Sequence, residues 1–453
     1  MRLSWPSARD KKRANVGRPP PSALSSAQAA DHTLFINTTW QDMELYEHLS
    51  RRTQASPRPP PTADPWRQPQ LGTNHRDLVN HFHDSAYLSL VVFDGKPAQM
   101  RDSLIRMALA NDSILGLALF QALLAYSSVH RSGVDQRALQ LKISALHTLS
   151  AFNKATPLSS AEAAQHVATS MLLGAFDILQ PAAGSGEWLW YTQGAMDVVQ
   201  ATSIRDQSHD SDIGHLLDWV HYHDALSRFP VQHWQHKSLA RDVPNSKFGN
   251  PLGEPHMSLT RHRPAIPSPN PTFAIINLLS EACDTLLDPR DLRSHTQEYQ
   301  NHLRTLESRL AAIQPRSESA YSDEAVLPIE IFRTATQIYI TRASESPWDT
   351  PASLDSLVET AFTGPIRDCY CPHFFPLFIL ACEARADERR TQILSLIERT
   401  AADGRVRNRA WLKNMVHSIW VHQDLHADSD LLVNYAGIMS AVISSSDTVP
   451  SFV

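Results

Sequence analysis

NDSILGLALFQALLAYSSVH, residues 111–130, is the stretch on which the fold turns. Asn111, Asp112 and Ser113 are side chains of the kind that accept from the free N–H groups opening a helix. The run behind them is apolar on every side. A surface helix keeps one polar face, so this pattern predicts a buried central helix. Its longest apolar part, ILGLALFQALLAY over 114–126, is too short to cross a bilayer and holds Gln121 inside it, so no membrane partner is expected.

Working outward, the same signal recurs. VATSMLLGAFDIL (167–179) repeats the buried pattern, and Pro181 with Gly184 and Gly186 then breaks the chain before WLWYTQGAMDVVQ. In ALQLKISALHTL (138–149), Ala138, Leu141, Ala145 and Leu149 share one helical face, with Lys142 on the other. Tyr299, Leu303, Leu306, Leu310 and Ile313 alternate steps of four and three, a helical seam too short for a coiled coil. IEIFRTATQIYITRA (329–343) and WLKNMVHSIWVHQDL (411–425) keep the 3.6-residue period. No strand array of period two, fixed-length repeat or βαβ rhythm competes. The fold class is all-α, a large helical domain behind a disordered N-terminal stub.

The boundaries follow composition. Residues 1–30 are basic and rich in Pro, Ser and Ala, a mixture that cannot bury a core. Residues 31–74 hold a short helix over 31–49, capped near Asn37 or Thr38, and a Pro-rich linker, ASPRPPPTADPWRQP at 55–69. Residues 75–453 form the helical domain. Within it, prolines crowd 230–272 and aliphatic residues thin out, which predicts a long irregular loop there.

The chain has 453 residues, 42% of them hydrophobic, and a net charge of −6. That supports a sizeable core and sets aside a strongly basic nucleic-acid binder, so any DNA contact must be local. The four cysteines, Cys283, Cys369, Cys371 and Cys382, include no CxxC pair and do not read as a disulfide framework. No apolar secretory core follows the N-terminus. These features describe a soluble intracellular protein.

Twenty-two histidines invite a search for metal sites. HFHD (81–84) and HYHD (221–224) each set two His beside an Asp, and a His–Asp pair on helices can share a divalent ion in a phosphohydrolase. That second reading uses His83 with Asp84, or His223 with Asp224. Histidines at i and i+2 face different ways on a helix, so the plainer reading of surface or boundary histidines is preferred. His417, His422, His426, Asp428 and Asp430 lack the HExxH arrangement and read as a solvated helix end. Cys369, Cys371 and His373 lie in apolar sequence without a fourth ligand and read as core. Trp188 and Trp190 read as packing rather than an aromatic pocket. No GxGxxG, Walker or GxSxG motif is present. No enzyme activity, catalytic residue, cofactor or metal ligand is assigned. Arg9, Lys11, Lys12 and Arg13 form a short basic run suited to phosphate-backbone contacts or to nuclear import.

LSWPSARDKKRANVG (3–17) resembles the segment that follows the zinc binuclear cluster of fungal transcription factors. FINTTWQDMELYEHLS (35–50), LFQALLAYSSVHRS, WVHYHDALSRF (219–229), YSDEAVLPIEIFRTATQIYITRAS (321–344), FPLFILACEARADERR (375–390), SIWVHQDLHADSD (418–430) and the closing PSFV continue it in the family's order. The resemblance is to the fungal-specific transcription factor regulatory domain and runs over nearly the whole chain. It implies a nuclear regulator of RNA polymerase II transcription without bond chemistry. Its implied partners are transcriptional coregulators or an intact homologous factor, with a small-molecule effector held between helices. Family members carry six cysteines ahead of the Leu-Ser-Trp-Pro phrase. Here only Met1 and Arg2 stand before it, so the zinc cluster is expected to be missing and zinc only where such a cluster exists upstream. DNA binding in this form is expected to be weak and non-specific.

Overall fold

The computed structural model describes residues 73–93, 96–110, 113–152, 157–179, 186–241, 267–287, 291–313, 323–344, 354–402, 409–425, 435–446 and 449–453. The basic run, the helix expected over 31–49 and the Pro-rich linker lie outside them. Every regular element among the described residues is helical, in keeping with the all-α expectation.

Helix α1 (Thr73–Asp84) leads through a 3-10 turn to α2 (Pro97–Leu109), α3 (Ile114–Ser132), α4 (Gln136–Ser150), α5 (Ser160–Ile178) and α6 (Glu187–Ala201). The stretch 111–130 becomes α3. Ser113 caps it, accepting from Gly116 N at 2.8 Å while donating to Gln165 Oε1 of α5 at 2.8 Å, so one hydroxyl both starts the helix and docks it. Helix α5 opens on a reciprocal pair, in which Ser159 caps the Glu162 backbone and Glu162 reaches back to the Ser159 backbone. Gly186, at φ +65°, supplies the left-handed residue ahead of α6. These helices enclose a first core around Phe82, Leu104, Leu119, Tyr126, Met171 and Leu172.

Lys142, on the other face of α4, is not left in solvent. Its side chain is only 14% exposed, and its ammonium meets Asp177 at 2.6 Å and lies over the Phe176 ring at 5.3 Å. The stem crosses apolar surface while the charge finds a carboxylate and a ring between α4, α5 and α6.

Helix α7 (Asp212–Arg241) joins this half to the next. The irregular loop expected from residue 230 is therefore corrected: the helix passes through Pro230 and continues to Arg241. Proline removes one helical hydrogen bond. Here Pro230 is buried beside Phe229, which packs edge-on to Tyr339, Phe375 and Phe452, and those contacts hold the helix past it. Residues 242–266 are outside the described part, 267–270 are irregular, and Pro271–Phe273 make one 3-10 turn.

The second half comprises α8 (Ala274–Thr285), α9 (Gln297–Ala312), α10 (Asp323–Ser344), α11 (Asp355–Thr363), the short α12 (Pro365–Asp368), α13 (Phe374–Glu383), α14 (Asp387–Ala402), α15 (Arg409–Leu425) and α16 (Tyr435–Ile443). Helix α13, buried along its whole length, is the centre of a second and larger core. Tyr299, Leu303, Leu306 and Leu310 of α9 are buried in that core, and Ile313 packs on it. A buried ion pair, Arg342 Nε to Glu383 Oε1 at 3.0 Å, joins α10 to α13.

Candidate functional site

Helix α7 belongs to both cores. Leu216, Leu217, Trp219 and Val220 pack into the first, while Tyr222, Ala225, Leu226 and Phe229 pack into the second. Where it crosses, a small cleft with room for about one water, partly open to solvent, lies between the two. Its apolar walls are Phe93, Met100, Trp219 and Phe273, each buried. Lys96, Gln99, His215 and Asp218 add polar groups.

Each wall has a local cause. Lys96 sits just before Pro97, whose fixed φ starts α2, so Lys96, Gln99 and Met100 come from the first turn of one helix. Phe93 stacks on Tyr222 at 5.9 Å and meets Phe273 edge-on at 5.4 Å, pinning the segment before α2 to α7 and to the turn before α8. Asp218 accepts from Asn270 Nδ2 at 2.7 Å and Ser268 Oγ at 3.4 Å, and Asn270 caps the Thr272 N–H at 3.0 Å. One carboxylate thus fastens residues 268–273 along α7.

Beside the cleft lies a polar cluster. Ser103 Oγ donates to Asp212 Oδ1 at 2.8 Å, Arg106 Nε donates to Asp212 Oδ2 at 2.8 Å, and His215 Nδ1 is 3.4 Å from Ser103 Oγ. The Arg106 guanidinium holds the Asp212 carboxyl below the usual range. This is a Ser, His and Asp together, yet Ser103 bonds the aspartate directly and is fully buried, which is not a nucleophile–base relay.

Trp219 is 1% exposed, and its indole N–H meets no acceptor among the described residues. A buried donor of this kind leaves a desolvation cost standing.

The sequence-derived metal candidates do not assemble. His83 Nδ1 and Asp84 Oδ1 lie 2.8 Å apart on the surface, with only each other as donors to an ion. His81 Nε2 instead faces His130 Nδ1 at 3.1 Å. His223 is buried with its ring edge-on to Trp219 and Tyr222, while Asp224 is tied to Arg228 at 3.1 Å, and Arg228 reaches Asp284 at 2.6 Å. Among the described residues no three His, Cys, Asp or Glu side chains converge as a metal site, so the phosphohydrolase reading has no donor set.

Cys369, Cys371 and His373 are buried in the second core. His373 Nδ1 is 2.8 Å from the Tyr222 hydroxyl, and burial lowers its pKa to about 3, so it is neutral. His417 and His422 lie on α15, and His426, Asp428 and Asp430 are outside the described residues. Trp188 and Trp190 part company. Trp188 is buried and donates to Val449 O at 3.1 Å, whereas Trp190 is 47% exposed, two residues along the same helix.

None of the cleft residues stood out in the sequence as a site. They come from three distant segments, and single Lys, Gln and Trp residues carry no motif. The available signal was Trp219 within WVHYHD, a phrase noted for its histidines and for the family resemblance but not for its tryptophan.

Comparison with known proteins defines the class. Residues 77–443 match the family described as the fungal specific transcription factor domain. The chain belongs to that family, and the helices on both sides of the cleft lie within the matched range. Among its relatives is the transcription factor iacI of Pestalotiopsis fici, strain W106-1, 29% identical over 391 residues that take in 86% of this chain and 98% of that protein. No solved structure matches the chain. Its helices are thus those of a fungal transcription-factor regulatory domain.

Proposed function

We propose that this chain regulates RNA polymerase II transcription in the nucleus, its helical domain serving as the regulatory surface and the seam cleft as the place where a small effector is read. The observation that carries the reading is the family match over 77–443, joined by a relative named as a transcription factor that aligns along most of the chain. The cleft adds support. It lies where one helix serves two cores, so a ligand there would touch both and bias their packing. Coregulators or an intact homologous factor are the protein partners this reading requires.

Arg9, Lys11, Lys12 and Arg13 serve here as an import signal or as weak phosphate contacts. Four basic side chains give only salt-sensitive attraction without base reading. Zinc enters only with a six-cysteine module, and the cysteines of this chain lie at 283, 369, 371 and 382.

The test is to tether the full chain to a heterologous DNA-binding domain at a fungal reporter and to follow a fluorescent fusion in the cell. Regulator function predicts a reporter change of several-fold and nuclear accumulation that falls when the four basic residues become Ala. An unchanged reporter with a chain that stays out of the nucleus would overturn the reading.

A further inference from the structure

His81 and His130 are 49 residues apart in the chain, and the fold brings their rings together. His81 Nε2 lies 3.1 Å from His130 Nδ1, the rings tilted by 48° with centroids 5.2 Å apart. Two neutral imidazoles at this distance share one proton in a hydrogen bond. The same spacing suits a metal ion. Two nitrogens each about 2.0–2.1 Å from one ion stand roughly 2.9–3.4 Å apart as the angle at the ion runs from octahedral to tetrahedral. Both residues are only partly buried, so the rings can turn until their lone pairs converge on the ion. The ring that donates in the free pair moves its proton to its other nitrogen, so both stay neutral and no proton is lost.

The surroundings bear on a cation in three ways. His81 stands in the last turn of α1 and His130 in the last turn of α3, and helix C-termini carry partial negative charge. Burial and the charge of Arg131 lower the His81 pKa from its ordinary 6.5, with Asp84 acting the other way, so that ring is unprotonated at neutral pH. Asp84 attracts an incoming cation and Arg131 opposes it. No third His, Cys, Asp or Glu among the described residues converges on the pair, so water must fill the remaining positions. A site left open in this way exchanges its ion, where four protein ligands would hold it.

We propose that His81 of α1 and His130 of α3 form an exchangeable two-histidine site for a divalent ion of the zinc class, which clamps α1 onto α3. Without the ion, α1 meets α3 through the ring of His75 on Phe120 and that of Phe82 on Tyr126. The ion adds a bond at the far end of the same contact. Imidazole suits zinc and nickel, whereas magnesium prefers oxygen ligands and should not bind.

The test uses the full chain, freed of metal with a chelator and titrated calorimetrically at neutral pH with zinc, nickel and magnesium. The parent should take up one zinc or nickel ion that His81→Gln and His130→Gln each bind at least tenfold more weakly. His417→Gln, at an exposed histidine of α15, should match the parent. Zinc should raise the thermal midpoint of the parent by several degrees and leave both pair variants where they are, since the ion binds the packed helices and not the unfolded chain. A measurement on the parent needs no variant to fold. In ¹⁵N spectra of labelled histidine, one equivalent of zinc should move the Nε2 of one ring and the Nδ1 of another together. Zinc binding that is equal in the parent and both pair variants belongs to other histidines and overturns the proposal. So does an equal uptake of magnesium, or a spectrum in which no Nε2 and Nδ1 move as a pair. None of these readouts uses transcription, so the site stands or falls apart from the regulator reading.

Discussion

His373 lies deep in the second core, 2% exposed, and its titration has a thermodynamic consequence. Burial lowers its pKa from the ordinary 6.5 to about 3. Below pH 6.5 the unfolded chain therefore holds a proton that the folded chain refuses, down to about pH 3. Folding stability should be complete above pH 6.5 and fall through that window, by up to about 1.4 kcal/mol per pH unit for one proton. Burial also lowers the pKa of His221 and His81, which adds slope of the same sign. Denaturant unfolding from pH 7 to pH 4 checks this: His373→Gln should show a shallower dependence than the parent, and an identical slope would refute the assignment. The cysteines behave as core side chains too. All four are buried, and burial raises the Cys283 thiol to about 12 and the Cys371 and Cys382 thiols as well. A colourless thiol reagent assay should find no fast-reacting thiol in the native chain and four after unfolding. Rapid native labelling would contradict the buried arrangement.

Among the elements, α7 is the one whose beginning is most tightly set. A Cβ on Gly214 would come within 2.2 Å of Ser208 O and 2.5 Å of His209 O, both backbone atoms that cannot swing aside. The turn before the helix packs directly on its first turn, where Ser211 Oγ also accepts from Gly214 N at 3.0 Å. Gly214→Ala should therefore destabilise the protein by about 1–3 kcal/mol, although alanine ordinarily favours a helix. A thermal melt decides it, since an unchanged midpoint would mean that the turn yields freely. Helix existence was legible from periodicity at α4, α9, α10 and α15, because the repeat of apolar residues is local, and from unbroken apolar runs at α3 and α5. The far end of α7 was not. Local rules stop a helix before Pro230, and only the ring contacts of Phe229 show why this one continues.

For the molecule entire, two cores share one helix, and the C-terminal segment fastens both. Val449 O accepts from Trp188 of the first half, and Phe452 packs against Phe229, Phe378 and Trp411 of the second. The two halves should therefore unfold together. Phe452→Ala should cost about 3–5 kcal/mol and lower a single transition, seen alike by calorimetry and by far-UV dichroism. Two resolved transitions in the parent would show that α7 and the C-terminal segment do not couple the cores.

Periodicity, composition and an ordered set of phrases were enough to place the chain among all-helical regulatory proteins. Helical faces repeat every few residues, and a family's phrases keep their order along one dimension. The same information set aside the histidine pairs, since neighbours at i and i+2 diverge on a helix. Tertiary structure alone decided where Lys142 finds its carboxylate, why Pro230 does not end α7, and which residues line the cleft. Each of those outcomes depends on groups far apart in the chain. Whether Trp219 has an acceptor, or Lys142 a counter-charge, is a property of what packs beside it, and no local repeat encodes that.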